Sequence, residues 1–164
     1  MMGIKNKDGF TVIELIILLL IIGIISIVVI NDFVPSLSAT RLEAGRWKLK
    51  SDIIYAQSLA AAQQISHGVI FDTALNRYSV YRQNITNIVN EPSTKQPFTV
   101  SFASDPDFKG VSITGTNFGD RLEFDSYGTP SDGSANLSSN ATVTLGSGPY
   151  SGVVTIIKNT GKAD

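Results

Sequence analysis

The hydrophobic pattern changes period twice along the chain. Between Val12 and Ile30 it has no period: sixteen positions are Val, Ile or Leu, and only Glu14, Gly23 and Ser26 interrupt them. From about residue 41 the apolar positions Leu42, Leu49, Ile53, Ala56 and Ala60 recur at helical spacing, with Arg41, Glu43, Arg46, Lys48, Lys50 and Asp52 mostly on other faces. After His67 and Gly68 the period drops to two, and candidate strands follow at 69–71, 78–82, 98–102, 111–114, 122–125, 142–145 and 153–158. Phe98, Val100 and Phe102 alternate with Thr99 and Ser101, as a strand with one buried face requires. Turn chemistry separates the strands, in "NEPSTKQP", "SDPDFKG", "YGTPSDGSAN" and "GSGPYSG". The pattern predicts an α+β chain: one long N-terminal helix from Phe10 to about Ser66, its second half packed on antiparallel strands in two small sheets.

The first block is a membrane signal. Its sixteen aliphatic residues contribute about −5 to −10 kcal/mol to insertion, against about +3 for the single charge of Glu14. Insertion wins, and Lys5 and Lys7 ahead of the run place that end in the cytoplasm and the C-terminal domain outside. A cleaved secretory signal would be shorter and would end in an Ala-x-Ala-like site, which "INDFVPS" does not offer. A plain one-pass anchor accounts for the apolar run but leaves Glu14 and the Gly9-Phe10 junction without a reason. Pro35 lacks a backbone donor and disfavours helix at Val34, so a joint is expected within residues 31–36.

Composition narrows the chemistry. The formal net charge is −1 and the cations are scattered, so bulk electrostatics predict no nucleic-acid partner. The absence of cysteine removes disulfides, thiolate nucleophiles and cysteine-based zinc sites.

The stretch Gly9-Phe10-Thr11-Val12-Ile13-Glu14, behind a short basic leader and ahead of an apolar helix, resembles the class III signal of type IV pilins and type II secretion pseudopilins. The segments "RLEAGRWKLKSDIIYAQSLAAAQQISHGVIFD", "RYSVY", "LEFDSYGTP" and "VVTIIKNTGK" are similar to GspH/FimT-type minor pseudopilins. These carry an Asp-x-x-x-Ala-Gln helix at Asp52 to Gln57, a Phe-x-x-x-Gly turn at Phe124 to Gly128, and a last strand ending in Thr160-Gly161. The resemblance departs at Asn31, where such helices commonly carry a proline.

The resemblance implies a pilin-like fold and four segments: a cleaved leader (1–9), a transmembrane and filament-core helix (10–34), its amphipathic continuation (35–66) and a β-rich periplasmic domain (67–164). It implies that prepilin peptidase cuts between Gly9 and Phe10 and methylates the new amine of Phe10. The expected partners are that peptidase, an inner-membrane assembly platform, the membrane, and other pseudopilins or pilins that meet this chain through its helix. The expected function is a minor pseudopilin of a secretion pseudopilus, not an enzyme and without cofactor; the alternative is a minor type IV pilin in pilus assembly or DNA uptake. Physics gives Glu14 a register role, because a carboxylate in a low-dielectric bundle can neutralise the Phe10 ammonium of a neighbouring subunit. DNA-uptake relatives carry several arginines near the end of the domain, whereas the tail here, "KNTGKAD", holds only two lysines.

Other motifs point to structure. His67, the sole histidine, lies at a helix-to-strand junction and reads as a turn residue. Asp125 and Asp132 flank a Gly/Ser loop but lack the ligand density of a calcium loop, so no metal is expected. "GSGPYSG" lacks the Lys-Ser or Lys-Thr of a phosphate cradle and reads as a hairpin loop. Trp47, Tyr55, Tyr78 and Tyr81 offer either a binding stripe or packing between helix and sheet, and packing is the expectation.

Overall fold

A computed structural model describes residues 10–164, with the side chains of residues 27–36 outside the described set. The expected leader (1–9) and the joint expected within 31–36 therefore lie outside the described residues. The chain divides into two compact units, one ending at Leu37 and one running from Ser38 to Asp164. Helix α1 spans Val12–Gln63. In the first unit its described apolar side chains stand uncovered, from Leu37 at 36% exposure to Val12 at 77%. Among the described residues no helix is long and apolar enough to cross a membrane; the described side chains of the expected span stop at Ser26.

The second unit carries β1 (His67–Asp72), β2 (Arg77–Arg82), β3 (Asn84–Ile88), β4 (Thr99–Ser101), a 3₁₀ turn at Pro106–Phe108, β5 (Val111–Thr116), β6 (Arg121–Phe124), β7 (Pro130–Ser131), β8 (Ala141–Ser147) and β9 (Tyr150–Ile156). One antiparallel sheet has the order β3-β2-β1-β6-β7, with β4 also pairing β2, and a second has the order β5-β8-β9. The α+β expectation and the two sheets hold. Two strands were not legible in advance. β3 is exposed along nearly its whole length and β7 has two residues, so neither shows a hydrophobic period. "GSGPYSG" is mostly strand, and only Gly148 and Pro149 turn between β8 and β9, with Gly148 at φ +58°.

Side-chain alternation explains the register. Val69 of β1 lies opposite Val80 of β2 and Leu122 of β6, and all three are fully buried. They share one core with Leu42, Leu49, Ile53, Ala56 and Ala60 of α1, the stripe read from the sequence. Gly45 marks a close approach: a Cβ there would lie 3.2 Å from Val111 and 3.6 Å from Phe102. Phe118, Phe71, Tyr78, Phe102 and Phe108 form a run of tilted and edge-to-face ring contacts, with centroids 5.2 to 6.1 Å apart.

The helix ends three residues earlier than expected because Gln64 takes a left-handed conformation, φ +56°, and the Ile65 amide donates to Ala60 O at 3.3 Å. This is a Schellman-type stop with glutamine where glycine is usual. The Gln64 side chain offsets this backbone cost, its Nε2 donating to Ala61 O at 2.7 Å and to Ser126 O at 3.2 Å.

Asn76, in the β1–β2 turn at φ +51°, ties the two sheets together. Its side-chain amide donates to Val111 O and accepts from the Ile113 amide, both at 2.8 Å, so it occupies the edge of β5 as a strand would. Its own carbonyl accepts from the Phe102 amide at 3.0 Å. Asn76→Gly keeps the backbone freedom and loses both side-chain bonds, an expected cost of about 2 kcal/mol. Asn76→Ala adds the left-handed penalty, about 1 kcal/mol more. Chemical denaturation of the full chain in detergent measures both, and equal stabilities for the two variants would contradict this partition.

Candidate functional site

At the head of α1, Phe10 is 86% exposed. Thr11 and Glu14 form a reciprocal cap: the Thr11 amide and hydroxyl each donate to Glu14 Oε2 at 3.0 Å, and the Glu14 amide donates back to Thr11 Oγ1 at 3.3 Å. This is a capping box, which satisfies orphan amides at a helix start. The Thr-x-x-Glu signal was present in the sequence, but Glu14 was read only as an intersubunit group. Both bonds use one carboxylate oxygen, and Oε1 takes none among the described residues. Gly9, Lys5 and Lys7 lie outside the described residues.

The second unit holds a charged network that sequence reasoning misplaced. Asp52, grouped above with residues mostly outside the apolar stripe, is 4% exposed. The Tyr78 hydroxyl donates to Asp52 Oδ2 at 2.6 Å and Lys48 Nζ donates to Oδ1 at 2.9 Å. Lys48 also lies 3.8 Å from Glu91 and 5.0 Å from the Phe98 ring centroid. The network thus links α1, β2 and the segment before β4. Burial raises the Asp52 carboxyl above its ordinary range, while its bonds to Tyr78 and Lys48 oppose the rise. Burial and the adjacent Asp52 carboxylate push the Tyr78 phenol well up. The missed signal was the spacing: Asp52 adjoins Ile53 and lies three residues from Leu49, so it borders the buried stripe.

Gln57 joins three of the four segments that carried the minor-pseudopilin resemblance. From the helix its amide donates to Gly128 O in the Phe-x-x-x-Gly turn at 2.9 Å and to Thr160 O at 2.7 Å. Gly161 is required by closeness, since a Cβ there would lie 2.5 Å from Gln57 Nε2 and 2.8 Å from Gly128 O.

The remaining candidates are absorbed by structure. His67 is fully buried, and its Nδ1 donates to Ile65 O at 2.8 Å, as a carbonyl can only accept. Asp125 Oδ1 accepts from the Tyr127 and Thr129 amides, and Asp132 Oδ1 from the Ser134 and Ala135 amides. The Ala135 and Ser134 amide bonds hold Asp132 below the usual carboxylate range. Among the described residues no metal-ligand cluster forms. Tyr78 and Tyr81 are buried and Tyr55 packs on Phe98, but Trp47 departs from the packing expectation at 66% exposure. In the tail, Lys158 donates to Ser138 O at 3.0 Å and Lys162 pairs with Asp164 at 2.9 Å.

No protein-family model matches the chain. The competence protein ComGD of Bacillus subtilis (strain 168) is 23% identical over 150 residues, which cover 88% of this chain and 92% of that protein. The minor pseudopilin EpsH from the type 2 secretion system of Vibrio cholerae superposes with a TM-score of 0.55 at 12% identity, over 76% of this chain and 94% of EpsH. The type IV minor pilin FimU of Pseudomonas aeruginosa gives 0.53 at 15% identity, over 77% and 88%. The chain therefore has the type IV pilin-like α+β fold of minor pilins and minor pseudopilins, and the resemblance drawn from its sequence holds at that level.

The buried carboxylate makes stability depend on pH. With its folded pKa raised, Asp52 binds more protons in the folded state between its ordinary value and the raised one, so stability falls as pH rises through that window. Asp52→Asn keeps an acceptor for Tyr78 and removes this dependence. In denaturation from about pH 4 to 7, the wild type is expected to lose stability relative to Asp52→Asn as pH rises. A constant difference would refute the assignment. Asp52→Ala strands the Tyr78 hydroxyl and is expected to cost about 2 to 4 kcal/mol at the acid end of that range, a cost that shrinks as pH rises and the wild type loses stability.

Proposed function

We propose that this chain is a minor subunit of a type IV pilin-like filament, with its N-terminal helix as its assembly element and no catalytic role. One observation carries the reading: a helix whose described apolar residues stand uncovered, headed by one carboxylate, leads a chain of minor-pilin fold. Prepilin peptidase removes residues 1–9 at Gly9–Phe10 and methylates Phe10, and the apolar run anchors the chain once through the inner membrane with its basic end cytoplasmic. The assembly platform then passes the subunit into the filament.

The Thr11–Glu14 cap bears on how the carboxylate works. Thr11 holds Oε2 and fixes the side chain beside the helix start, while Oε1 remains for the Phe10 ammonium of a neighbour. In a water-poor bundle such a pair is far stronger than at a surface, and removing one member costs about 3 to 5 kcal/mol.

The likeness to EpsH supports service in a secretion pseudopilus, where the subunit helps initiate or cap the filament. A second reading, service in a competence filament, is favoured by the relation to ComGD over 88% of the chain. Even there the role would be assembly, because both tail lysines are already engaged by Ser138 O and Asp164. Salt-sensitive retardation of DNA by the full chain would reverse that assignment.

Mass spectrometry of the mature chain tests the processing: a start at Phe10 carrying one added methyl group is expected, and an intact leader in cells with active peptidase would refute it. Glu14→Ala is expected to lose incorporation by at least about 100-fold, as a lost pair of about 3 kcal/mol requires. Sheared filaments probed for the subunit give the readout, and wild-type incorporation would exclude the pairing.

A further inference from the structure

The turn between β6 and β7 has its backbone fixed from several sides, yet its largest side chain is left unused. Asp125 Oδ1 accepts from the Tyr127 and Thr129 amides at 2.9 and 2.8 Å, the Gly128 amide donates to Asp125 O at 2.9 Å, and the Asp125 amide donates to Thr129 O at 3.1 Å. Gln57 and Gln64 hold the Gly128 and Ser126 carbonyls from outside. Tyr127 at the tip is 87% exposed, and its ring and hydroxyl make no bond or ring contact among the described residues. An aromatic side chain on an ordered backbone has little entropy left to lose on binding, and tyrosine is among the residues that concentrate binding energy at interfaces.

The charge around the ring selects what can bind there. Gln64 Nε2 bridges Ala61 O and Ser126 O at 2.7 and 3.2 Å, so the turn lies against the C-terminal end of α1, where the helix dipole is negative. No basic residue stands in the last turn of that helix. The donors that reach Ala60 O and Ala61 O are the Ile65 amide and the Gln64 side chain, both neutral. Asp125 adds a carboxylate two residues before Tyr127, and its Oδ2 takes no bond among the described residues. Arg82, cross-strand from His67, bonds to none of these groups, and Lys158 and Lys162 are engaged by Ser138 O and Asp164. A tyrosine face beside uncompensated negative charge attracts a cation through the ring, the helix end and the carboxylate together. An anion, whether a nucleic-acid phosphate or an acidic lipid headgroup, is repelled by the same groups.

We propose that Tyr127 and the C-terminal end of α1 form a docking point for a basic loop of a partner protein, whose lysine or arginine lies on the Tyr127 ring with its charge toward Asp125 and the last helical carbonyls. Arginine fits best, because a planar guanidinium stacks on a ring and still directs N–H groups to oxygen acceptors. The site belongs wholly to the Ser38–Asp164 unit and does not rest on the filament reading.

The test is photocrosslinking in the producing cells, with benzoylphenylalanine placed in the full chain at Ser126, beside the intact Tyr127, and, as a control, at exposed Asn87 of β3. Adducts from Ser126, but not Asn87, are expected on a protein segment beside a lysine or arginine, and changing that partner residue to glutamine is expected to abolish them. Tyr127→Phe keeps the ring and is expected to keep the yield, whereas Tyr127→Leu lowers it at least about five-fold. Gln63→Lys, at an exposed position, supplies the missing cation from the last helical turn itself and lowers the yield at least about two-fold. Neither lowering variant touches the groups that hold the turn, so the thermal transition is expected not to fall. Adducts only to lipid or saccharide, adducts on a segment whose basic residue is dispensable, a yield indifferent to Tyr127→Leu or to Gln63→Lys, or no adduct from the folded chain would each overturn the docking point.

Discussion

The burial of one stripe of α1 is the constraint on which the rest of this domain depends. Leu42, Leu49, Ile53, Ala56 and Ala60 are all under 4% exposed, and the stripe shrinks from leucine to alanine along the helix. Small residues let the backbones approach, as Gly45 does beside Val111 and Phe102. That closeness leaves no room for water around polar groups near the stripe, so each must find a protein partner. Asp52 meets Tyr78 and Lys48, and Gln57 meets two carbonyls. The polar contacts of the helix follow from its packing.

A second consequence concerns sheet edges, whose unpaired backbone groups invite pairing with other chains. Asn76 fills part of the β5 edge, and residues 162–164 bond to Thr155 of β9 and to Ile157 just beyond it. Arg46 takes the Val153 carbonyl farther along β9, across Gly152, where a Cβ would collide with the guanidinium stem. Pro130 sits in the edge strand β7, and the Asn84 side chain accepts from the Thr86 amide on β3. These plugs come from unrelated parts of the chain. Their common effect is to discourage strand addition at these edges.

What could be read from the sequence was what periodicity encodes. The helix, its buried stripe and the seven other strands each bury one face, and a buried face repeats in the sequence. β3 and β7 bury almost nothing through their own alternation and so left no trace. Asp52 was misplaced for a related reason: a helical wheel sorts residues by type, and a carboxylate at the border of an apolar stripe is read as solvated until its partner 26 residues away is known. The head of the helix was legible as a motif, but its cap was overlooked because the same Glu14 already had an intersubunit reading. These are compatible, since one carboxylate has two oxygens and Thr11 uses only Oε2.

The segments that made the sequence resemble minor pseudopilins are far apart in the chain, and their meeting at Gln57 gives the resemblance a physical basis. An amide nitrogen has two hydrogens, and Gln57 places one on Gly128 O and the other on Thr160 O. The turn must carry Gly128, at φ +79°, to present its carbonyl there, and the tail must carry Gly161, at φ +66°, to pass beneath Phe124. Replacing the glutamine by a shorter or acidic side chain would leave two carbonyls without donors, so its identity is fixed by geometry. Two turns further along, Gln64 repeats the device by donating to Ser126 O. Two glutamines, one on the helix and one at its C-terminal stop, thus hold a turn whose tip, Tyr127, is 87% exposed. The order of that turn is imposed from the helix as well as from its own strands.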